Sequence, residues 1–161
     1  MEHDPSVGTD RARPRSDTPA RGHRLLAHTA DAGLEAWAPD AGALFEEAAL
    51  ALSDISADIE PGTAATAREA VAIEAPDAEG LVFAWLNELI GLIDVRGAAI
   101  TGAGVALARL EDRPLVRATV RLAPFDGRRV RRRSDIKSAT YHRLAVRRVR
   151  DGWSLVAYLD I

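Results

Sequence analysis

Residues 77–94 read DAEGLVFAWLNELIGLID, and this stretch decides the fold class. Its apolar residues recur three and four positions apart, the spacing that gathers side chains on one face of a helix. They are Leu81, Val82, Trp85, Leu86, Leu89, Ile90 and Ile93. Asp77 is typical of a helix N-cap, and Gly97 of a helix end. The stretch therefore predicts a long amphipathic helix that needs another layer to cover its apolar face.

The surrounding segments predict that layer. Residues 115–122 alternate apolar and polar side chains, which is typical of an antiparallel strand with one wet face. Pro39-Asp40 starts a second helix, with Glu46 and Glu47 outside its apolar stripe. The order of two helices and seven strands predicts an α+β fold of two layers, in which two helices pack on a mostly antiparallel β-sheet.

The last two strands predict a hairpin around Asp151-Gly152. With these two residues at the centre of the turn, Arg143 faces Asp160 and the carboxyl-terminal Ile161 lies beside His142. One apolar-polar mismatch near the turn also predicts a β-bulge.

Composition excludes several classes of protein. The chain has 161 residues and no cysteine, so thiolate catalysis, cysteine-ligated metals and iron–sulfur clusters are excluded. No apolar run approaches the ~20 residues of a bilayer span, which predicts a soluble cytoplasmic protein without a membrane contact. Residues 1–22 are rich in Pro, Gly and polar residues and predict a disordered tail, followed by one domain over residues 23–161.

Charge is unevenly distributed along the chain. Residues 25–112 carry 3 basic and 16 acidic side chains, whereas residues 121–150 carry 11 basic and 2 acidic ones. This distribution predicts a dipolar molecule, with one face suited to phosphates or to an acidic partner. The most basic stretch consists of Arg128, Arg129, Arg131, Arg132 and Arg133. It is either a solvated face or a contact to RNA phosphates or to a partner.

No nucleotide-binding, zinc-protease or serine-hydrolase motif occurs, which argues against a self-sufficient enzyme. Polar residues at strand ends remain as candidates. Asp31 is a turn residue, or it joins Asp160 and the carboxylate of Ile161 as oxygen ligands for Ca²⁺ or Mg²⁺. Lys137 and His142 lie in one segment. Either they are a solvated lysine and a packed histidine, or both are functional groups.

Four separated motifs, in this order, resemble the archease family. They are an opening made of His28-Thr-Ala-Asp31, Gly33-Leu-Glu-Ala36 and the helix segment Ala43–Leu52, then Trp85-Leu-Asn-Glu-Leu89, Lys137-Ser-Ala-Thr-Tyr-His142 and the terminal Leu159-Asp-Ile161. The resemblance covers residues 23–161.

That resemblance implies an accessory role and no catalytic activity of its own. Archeases assist the GTP-dependent RtcB-type RNA ligase of tRNA splicing, which joins a 2′,3′-cyclic-phosphate or 3′-phosphate end to a 5′-hydroxyl. They promote guanylylation of the ligase histidine and multiple turnover. The family's divalent-metal site, typically calcium, carries over to Asp31, Asp160 and the carboxylate of Ile161. Lys137 resembles the family's essential lysine, and His142 is the last residue of the same motif.

Two alternatives remain open. One is a general chaperone-like modulator of RNA-processing or RNA-modifying enzymes, which uses the arginine stretch to contact RNA or protein. The other is a metal-dependent hydrolase on the same carboxylates, which is weaker because no general base is evident near Asp31.

Overall fold

The computed structural model describes residues 20–27 and 31–161. Over these residues the chain forms two helices and nine strands. In chain order they are β1 Gly22–Ala27, β2 Ala32–Ala38, α1 Ala41–Ser56, β3 Ala57–Ile59, β4 Ala67–Glu74, α2 Ala78–Arg96, β5 Ala98–Arg109, β6 Leu115–Pro124, β7 Val130–Arg132, β8 Ser138–Val149 and β9 Gly152–Asp160. The α+β class is confirmed. The predicted tail lies outside the described residues up to residue 19, and its last residue, Gly22, belongs to β1.

The strands form three antiparallel sheets. A four-stranded sheet has the order β1-β2-β9-β8, a three-stranded sheet the order β4-β6-β5, and β3 pairs with β7. Both helices contact strands of the two larger sheets, so the helices lie against one face of each. The short pair β3–β7 was not predicted, because three residues are too few to show an alternating pattern.

Side-chain caps fix both helix starts. Asp40 accepts the N–H of Ala43 at 2.8 Å, and Asp77 accepts the N–H of Gly80 at 2.6 Å. At the end of α2, Gly97 adopts the left-handed region with φ 56°, where a side chain is unfavourable. The predicted caps are confirmed.

The core is centred on the two helices. Trp85 of α2 is fully buried, donates its indole N–H to the carbonyl of Phe45 at 3.1 Å and meets the Phe45 ring edge-on. Ser53 of α1 donates to the carbonyl of Ile100 at 2.6 Å. These bonds satisfy polar groups inside an otherwise aliphatic core, as burial requires. None of the described helices is long and apolar enough to cross a membrane.

The prediction that Glu47 lies outside the packed face of α1 is wrong. Its side chain is buried and accepts hydrogen bonds from Arg21 Nε and His23 Nδ1, both at 2.7 Å. The second ring nitrogen of His23 lies 2.8 Å from Asp54. Burial opposes the charged imidazole, but its bonds to Glu47 and Asp54 outweigh that cost and raise the pKa of His23. These charged hydrogen bonds thus hold β1 against α1.

The turn of the last hairpin differs from the prediction. Val149 pairs with Gly152, so the central turn residues are Arg150 and Asp151. Gly152 begins β9 instead, with φ 146°, and a Cβ at this position would collide with the carbonyl oxygen of Ala38. The glycine therefore serves the close approach of β9 to the end of β2 and not the turn.

A bulge then shifts the register of β8 on β9. The two paired blocks are Ser138–Thr140 with Tyr158–Asp160, and Ala145–Val149 with Gly152–Val156. Residues 141–144 face only Ala157, and Arg143 adopts φ 58° among them. The bulge predicted near the turn is absent, because with the corrected turn Arg148 pairs with Trp153 and Leu155 with Val146; the bulge lies at residues 141–144 instead and moves the carboxyl end of β9 along β8.

That shift overturns two predicted pairs. Asp160 lies opposite Ser138 and not Arg143. Ile161 therefore lies next to the start of β8 and not beside His142.

Candidate functional site

Two carboxylates from distant parts of the chain meet at one edge of the four-stranded sheet. Ala32 of β2 pairs with Leu159 of β9, and continuing this register by one position beyond the ladder places Asp31 opposite Asp160. Residues directly opposite each other in an antiparallel pair have Cα atoms about 4.5–5.5 Å apart and point to the same side. Asp31 and Asp160 are therefore neighbours, although 128 residues separate them in the sequence.

Lys137 reaches the same edge from the other side of β9. Its backbone N–H donates to the carbonyl oxygen of Asp160 at 2.8 Å, and Ser138 pairs with Asp160 in the strand ladder. Lys137 and Asp160 are exposed, and Ile161 is 47% exposed. The edge thus brings together a lysine, two aspartates and the chain end in an accessible position.

Asn87 holds the β8 side of this edge in place. Its Oδ1 accepts the N–H of Ala139 at 3.0 Å, and its Nδ2 donates to the carbonyl of Phe83 at 3.0 Å. Ala139 is two residues from Lys137. Asn87 was not among the predicted site residues, and its sequence signal was its position within the motif Trp85-Leu-Asn-Glu-Leu89.

His142 is not part of this edge. It lies on the bulge, exposed, five residues beyond Lys137. Its neighbour Tyr141 stacks on Phe83 of α2, with ring centroids 4.0 Å apart. The structure therefore separates His142 from the other predicted site residues.

The donors at the edge suit a hard cation. Carboxylate oxygens are the ligands that Ca²⁺ and Mg²⁺ prefer, whereas zinc favours nitrogen and sulfur. Among residues 20–27 and 31–161, no three His, Cys, Asp or Glu side chains are grouped as metal ligands. The described side chains therefore offer two carboxylates at this edge, those of Asp31 and Asp160.

The arginine stretch divides into engaged and available side chains. The guanidinium of Arg132 lies 4.4 Å from the centre of the Phe125 ring and 3.1 Å from Asp135. Arg133 pairs with Asp58 at 2.8 Å and donates to the carbonyl of Asp54 at 3.0 Å. These two arginines therefore have structural contacts.

The other three arginines, Arg128, Arg129 and Arg131, are exposed and form no ion pair within the described part of the chain. They line an open groove of about 410 Å³, shared with Asp58 and Glu60. Backbone N–H groups of the same loop donate to Asp126 and lower the pKa of its carboxyl. The loop is thus ordered by its own turn and presents three unneutralised guanidinium groups.

Comparisons with known proteins agree on one family. The model of the archease protein family matches residues 23–161. The archease of Methanosarcina barkeri is 30% identical over 140 residues, covering 86% of this chain and 95% of that protein. The archease of Methanopyrus kandleri is 31% identical over 138 residues, covering 84% of this chain and 96% of that protein.

A solved structure shares the fold. The solution structure of protein 1598 from Methanobacterium thermoautotrophicum matches with a TM-score of 0.69 and 24% identity, covering 87% of this chain and 99% of that one. At this identity the likeness concerns the fold alone.

Proposed function

Because this chain belongs to the archease family, we propose that it is a metal-binding accessory protein that activates a GTP-dependent RtcB-type RNA ligase in tRNA splicing and RNA repair. In this proposal the protein catalyses no reaction itself. It promotes guanylylation of the ligase's active-site histidine and so permits multiple turnover. The observation that carries the proposal is the meeting of Asp31, Asp160 and Lys137 at one accessible sheet edge.

The carboxylates of this edge would hold a divalent cation, for which calcium is the proposed identity. Asp31, Asp160 and the carboxylate of Ile161 offer oxygen ligands alone, which matches the preference of calcium. When bound, calcium would supply a fixed positive charge for phosphate oxygens at the docked surface. Without a cation, the adjacent carboxylates repel one another, which favours an occupied site.

Lys137 supplies the second positive charge in the proposal. A flexible ammonium on the exposed sheet edge suits a triphosphate, whose negative charge must be neutralised as the nucleotide reacts. Docking excludes water and strengthens that interaction. His142 has a separate place, as an exposed contact on the bulge toward the ligase.

The test is a ligation assay with the ligase well below the concentration of its RNA. The substrates carry a 2′,3′-cyclic phosphate and a 5′-hydroxyl, with GTP and the metal cofactor of the ligase present. We expect several products per ligase molecule with this protein and about one without it. Guanylylated ligase is measured in parallel.

Matched variants connect the result to the edge. Asp160→Asn and Lys137→Gln should abolish the stimulation, whereas Asp94→Asn, an exposed aspartate on α2, should leave it unchanged. Equal product yields with and without the wild-type protein would refute the proposed function.

A second candidate function is supported by the three available arginines. A chaperone-like modulator of RNA-processing enzymes would use Arg128, Arg129 and Arg131 to bind RNA or a partner protein. Such a modulator would stimulate other RNA-modifying enzymes in their own assays as well as the ligase, and Asp160→Asn would retain that effect.

A further inference from the structure

The three-stranded sheet presents one of its faces to solvent. Along β4 and β6, residues that are buried toward the helices alternate with residues that point the other way. Val71, Val116 and Val120 are buried in the core, whereas Ala72 and Thr119 are exposed. We call the solvent-facing side of β4, β6 and β5 the open face.

Strand pairing arranges the residues of the open face in three rows across the sheet. The first row consists of Arg68, Arg121 and Gly102, the middle row of Ala70, Thr119 and Gly104, and the third row of Ala72, Arg117 and Leu107. Successive rows are two residues apart along a strand, or about 6.6 Å. Arginines therefore lie on both sides of a floor of small residues.

The arginines of the open face are not neutralised by neighbouring side chains. Arg68 and Arg121 are cross-strand partners, and two like charges in that position destabilise a sheet. The four-stranded sheet shows the opposite arrangement, because its Arg24 lies across from Glu35 and pairs with it at 2.6 Å. Arg68, Arg117 and Arg121 form no ion pair within the described part of the chain. This arrangement favours an anionic ligand.

Acidic residues are rare on the open face. β5 and β6 contain no Asp or Glu. In β4, Glu69 lies on the helix side and pairs with Arg96 of α2, so Glu74 is the one carboxylate that the three strands present on the open face. Glu74 is the last residue of β4, and Arg109 and Arg113 line the same groove beside it. The open face thus keeps an excess of positive charge.

Two glycines of β5 make room for the guanidinium of Arg121. A Cβ at Gly102 would collide with Nη2 of Arg121, and one at Gly104 would lie 3.6 Å from its Nη1. The guanidinium therefore lies against the backbone of β5, in a position that is set before a ligand binds. Such preorganisation lowers the entropy that a contact to an anion costs.

The arginine loop adjoins the open face. Val130 of β7 is buried together with Ala99 and Ala123, which pair with each other in the row next to the first one. β7 therefore packs on the same side of the sheet, and its three available arginines extend the positive surface. Asp58 and Glu60 border these arginines, but Asp58 is already paired with an arginine of the same loop.

The composition of the open face favours phosphates over unpaired bases or a protein surface. β4, β5 and β6 contain no aromatic residue. An unpaired base therefore finds no ring to stack on, and a protein partner finds none of the aromatic anchors that dominate interface energies. Contacts between guanidinium groups and phosphates need neither. Base-paired RNA is recognised mostly through its backbone and shape.

We propose that the open face binds the phosphate backbone of base-paired RNA, with Arg68, Arg117 and Arg121 as phosphate contacts. Because phosphate contacts carry no sequence information, the binding is independent of base sequence. The proposal goes beyond ligase activation, and only the choice of RNA over DNA rests on the proposed function.

The test measures binding without the ligase, so that it can fail independently of the proposed function. Fluorescence anisotropy follows a labelled RNA duplex of about 16 base pairs, one of its strands alone, the DNA duplex of the same sequence and a polyglutamate of equal charge. The RNA duplex should bind at least threefold more tightly than the single strand, which has a lower charge density and gains no stacking. It should bind at least as tightly as the DNA duplex.

Glutamine variants connect the binding to the open face. Arg68→Gln and Arg117→Gln should each flatten the dependence of log Kd on log salt for the RNA duplex by about 0.9, the value of one phosphate contact. The triple variant that also carries Arg121→Gln should flatten it by about 2.7. Arg117→Lys should keep the slope, because the charge remains. Arg147→Gln, which removes an exposed arginine on β8 of the other sheet, is the matched control and should keep it too.

Any of four results would overturn the proposal. They are no binding of the RNA duplex by the wild-type protein at about 100 µM in low salt, a single strand bound as tightly as the duplex, a DNA duplex bound more than threefold more tightly than the RNA duplex, and a triple variant with the wild-type salt slope. Polyglutamate bound as tightly as the RNA duplex would assign the open face to an acidic protein instead. Thermal unfolding checks that each variant is folded. Arg68 and Arg117 are exposed, so their variants keep the test valid if Arg121→Gln is not folded.

Discussion

Asn87 Oδ1 accepts the backbone N–H of Ala139 at 3.0 Å, and this hydrogen bond connects the middle of α2 to the start of β8. β8 is an edge strand of its sheet, so one side of its backbone pairs with none of the described strands. Asn87 satisfies one N–H on that side. The bond therefore orders the start of β8, where Lys137 leads into the strand.

We predict that Asn87→Leu destabilises the protein by about 1–3 kcal/mol, because the N–H of buried Ala139 loses its acceptor. Asn87→Asp retains an acceptor and should cost clearly less. Urea unfolding followed by circular dichroism measures both changes. Glu88→Gln, at the exposed neighbouring position, serves as the control and should stay within about 0.5 kcal/mol. Equal losses in the leucine and aspartate variants would contradict the role of this bond.

Local signals explain which parts of the fold were predictable. The caps Asp40 and Asp77 and the helix end at Gly97 depend on neighbouring residues, and each was predicted correctly. The hairpin register was not, because Asp151-Gly152 looks locally like a two-residue turn. The deciding contact is between Gly152 and Ala38, more than 100 residues away, and no local pattern shows it.

The site was predictable in its residue types but not in its geometry. Strand-end carboxylates point to a cation on chemical grounds, yet their meeting depends on the pairing of β2 with β9. Glu47 was misassigned because a carboxylate beside an apolar stripe normally faces water. Its burial requires Arg21 and His23, which the α1 pattern does not show.

The cluster of His23, Glu47 and Asp54 predicts a stability that depends on pH. The pKa of His23 is raised, so its contribution is fully present below its usual value of 6.5 and is lost as pH rises through the raised value. Burial opposes ionisation of Glu47, but bonds from His23 and Arg21 lower the pKa of this carboxyl, so its contribution is present above 4.5 and is lost as pH falls through the lowered value. His23→Gln should therefore cost about 1–2 kcal/mol at pH 5.5 and less at pH 8.5. Urea unfolding at both pH values measures it.

The double variant His23→Gln with Glu47→Gln is the control for this prediction. Its loss of unfolding free energy should be the same at pH 5.5 and pH 8.5, since neither partner can then form the ion pair. A cost of His23→Gln that is the same at pH 5.5 and pH 8.5 would show that the imidazole is not charged in this cluster.

The two groups of arginines should separate in their effects. Replacing Arg128, Arg129 and Arg131 by Ser should leave the unfolding free energy within about 0.5 kcal/mol. It should flatten the dependence of log Kd on log salt for a tRNA by about 2, if each arginine meets a phosphate. Replacing Arg132 and Arg133 should instead lower stability, through their contacts to Phe125 and Asp58. Salt-dependent binding and urea unfolding of both variants test this prediction. If the first variant binds tRNA with the same salt slope as the wild type, Arg128, Arg129 and Arg131 are only a solvated surface.

The chain end provides the sharpest test of the proposed cation site, because the carboxylate of Ile161 is the proposed third protein ligand. A short carboxyl-terminal extension converts that carboxylate into an amide and also crowds Lys137, whose N–H binds the carbonyl of Asp160. We predict that the extension, Asp31→Ala and Asp160→Ala each weaken Ca²⁺ binding tenfold or more, about 1.4 kcal/mol, without unfolding the protein, because none removes apolar core. The same extension at the amino terminus is the matched control and should leave the affinity unchanged. Calorimetric titration of the wild type and the four variants measures these affinities. Wild-type affinity in the protein extended at its carboxyl end would remove the terminal carboxylate from the site and leave Asp31 and Asp160 as its only protein ligands.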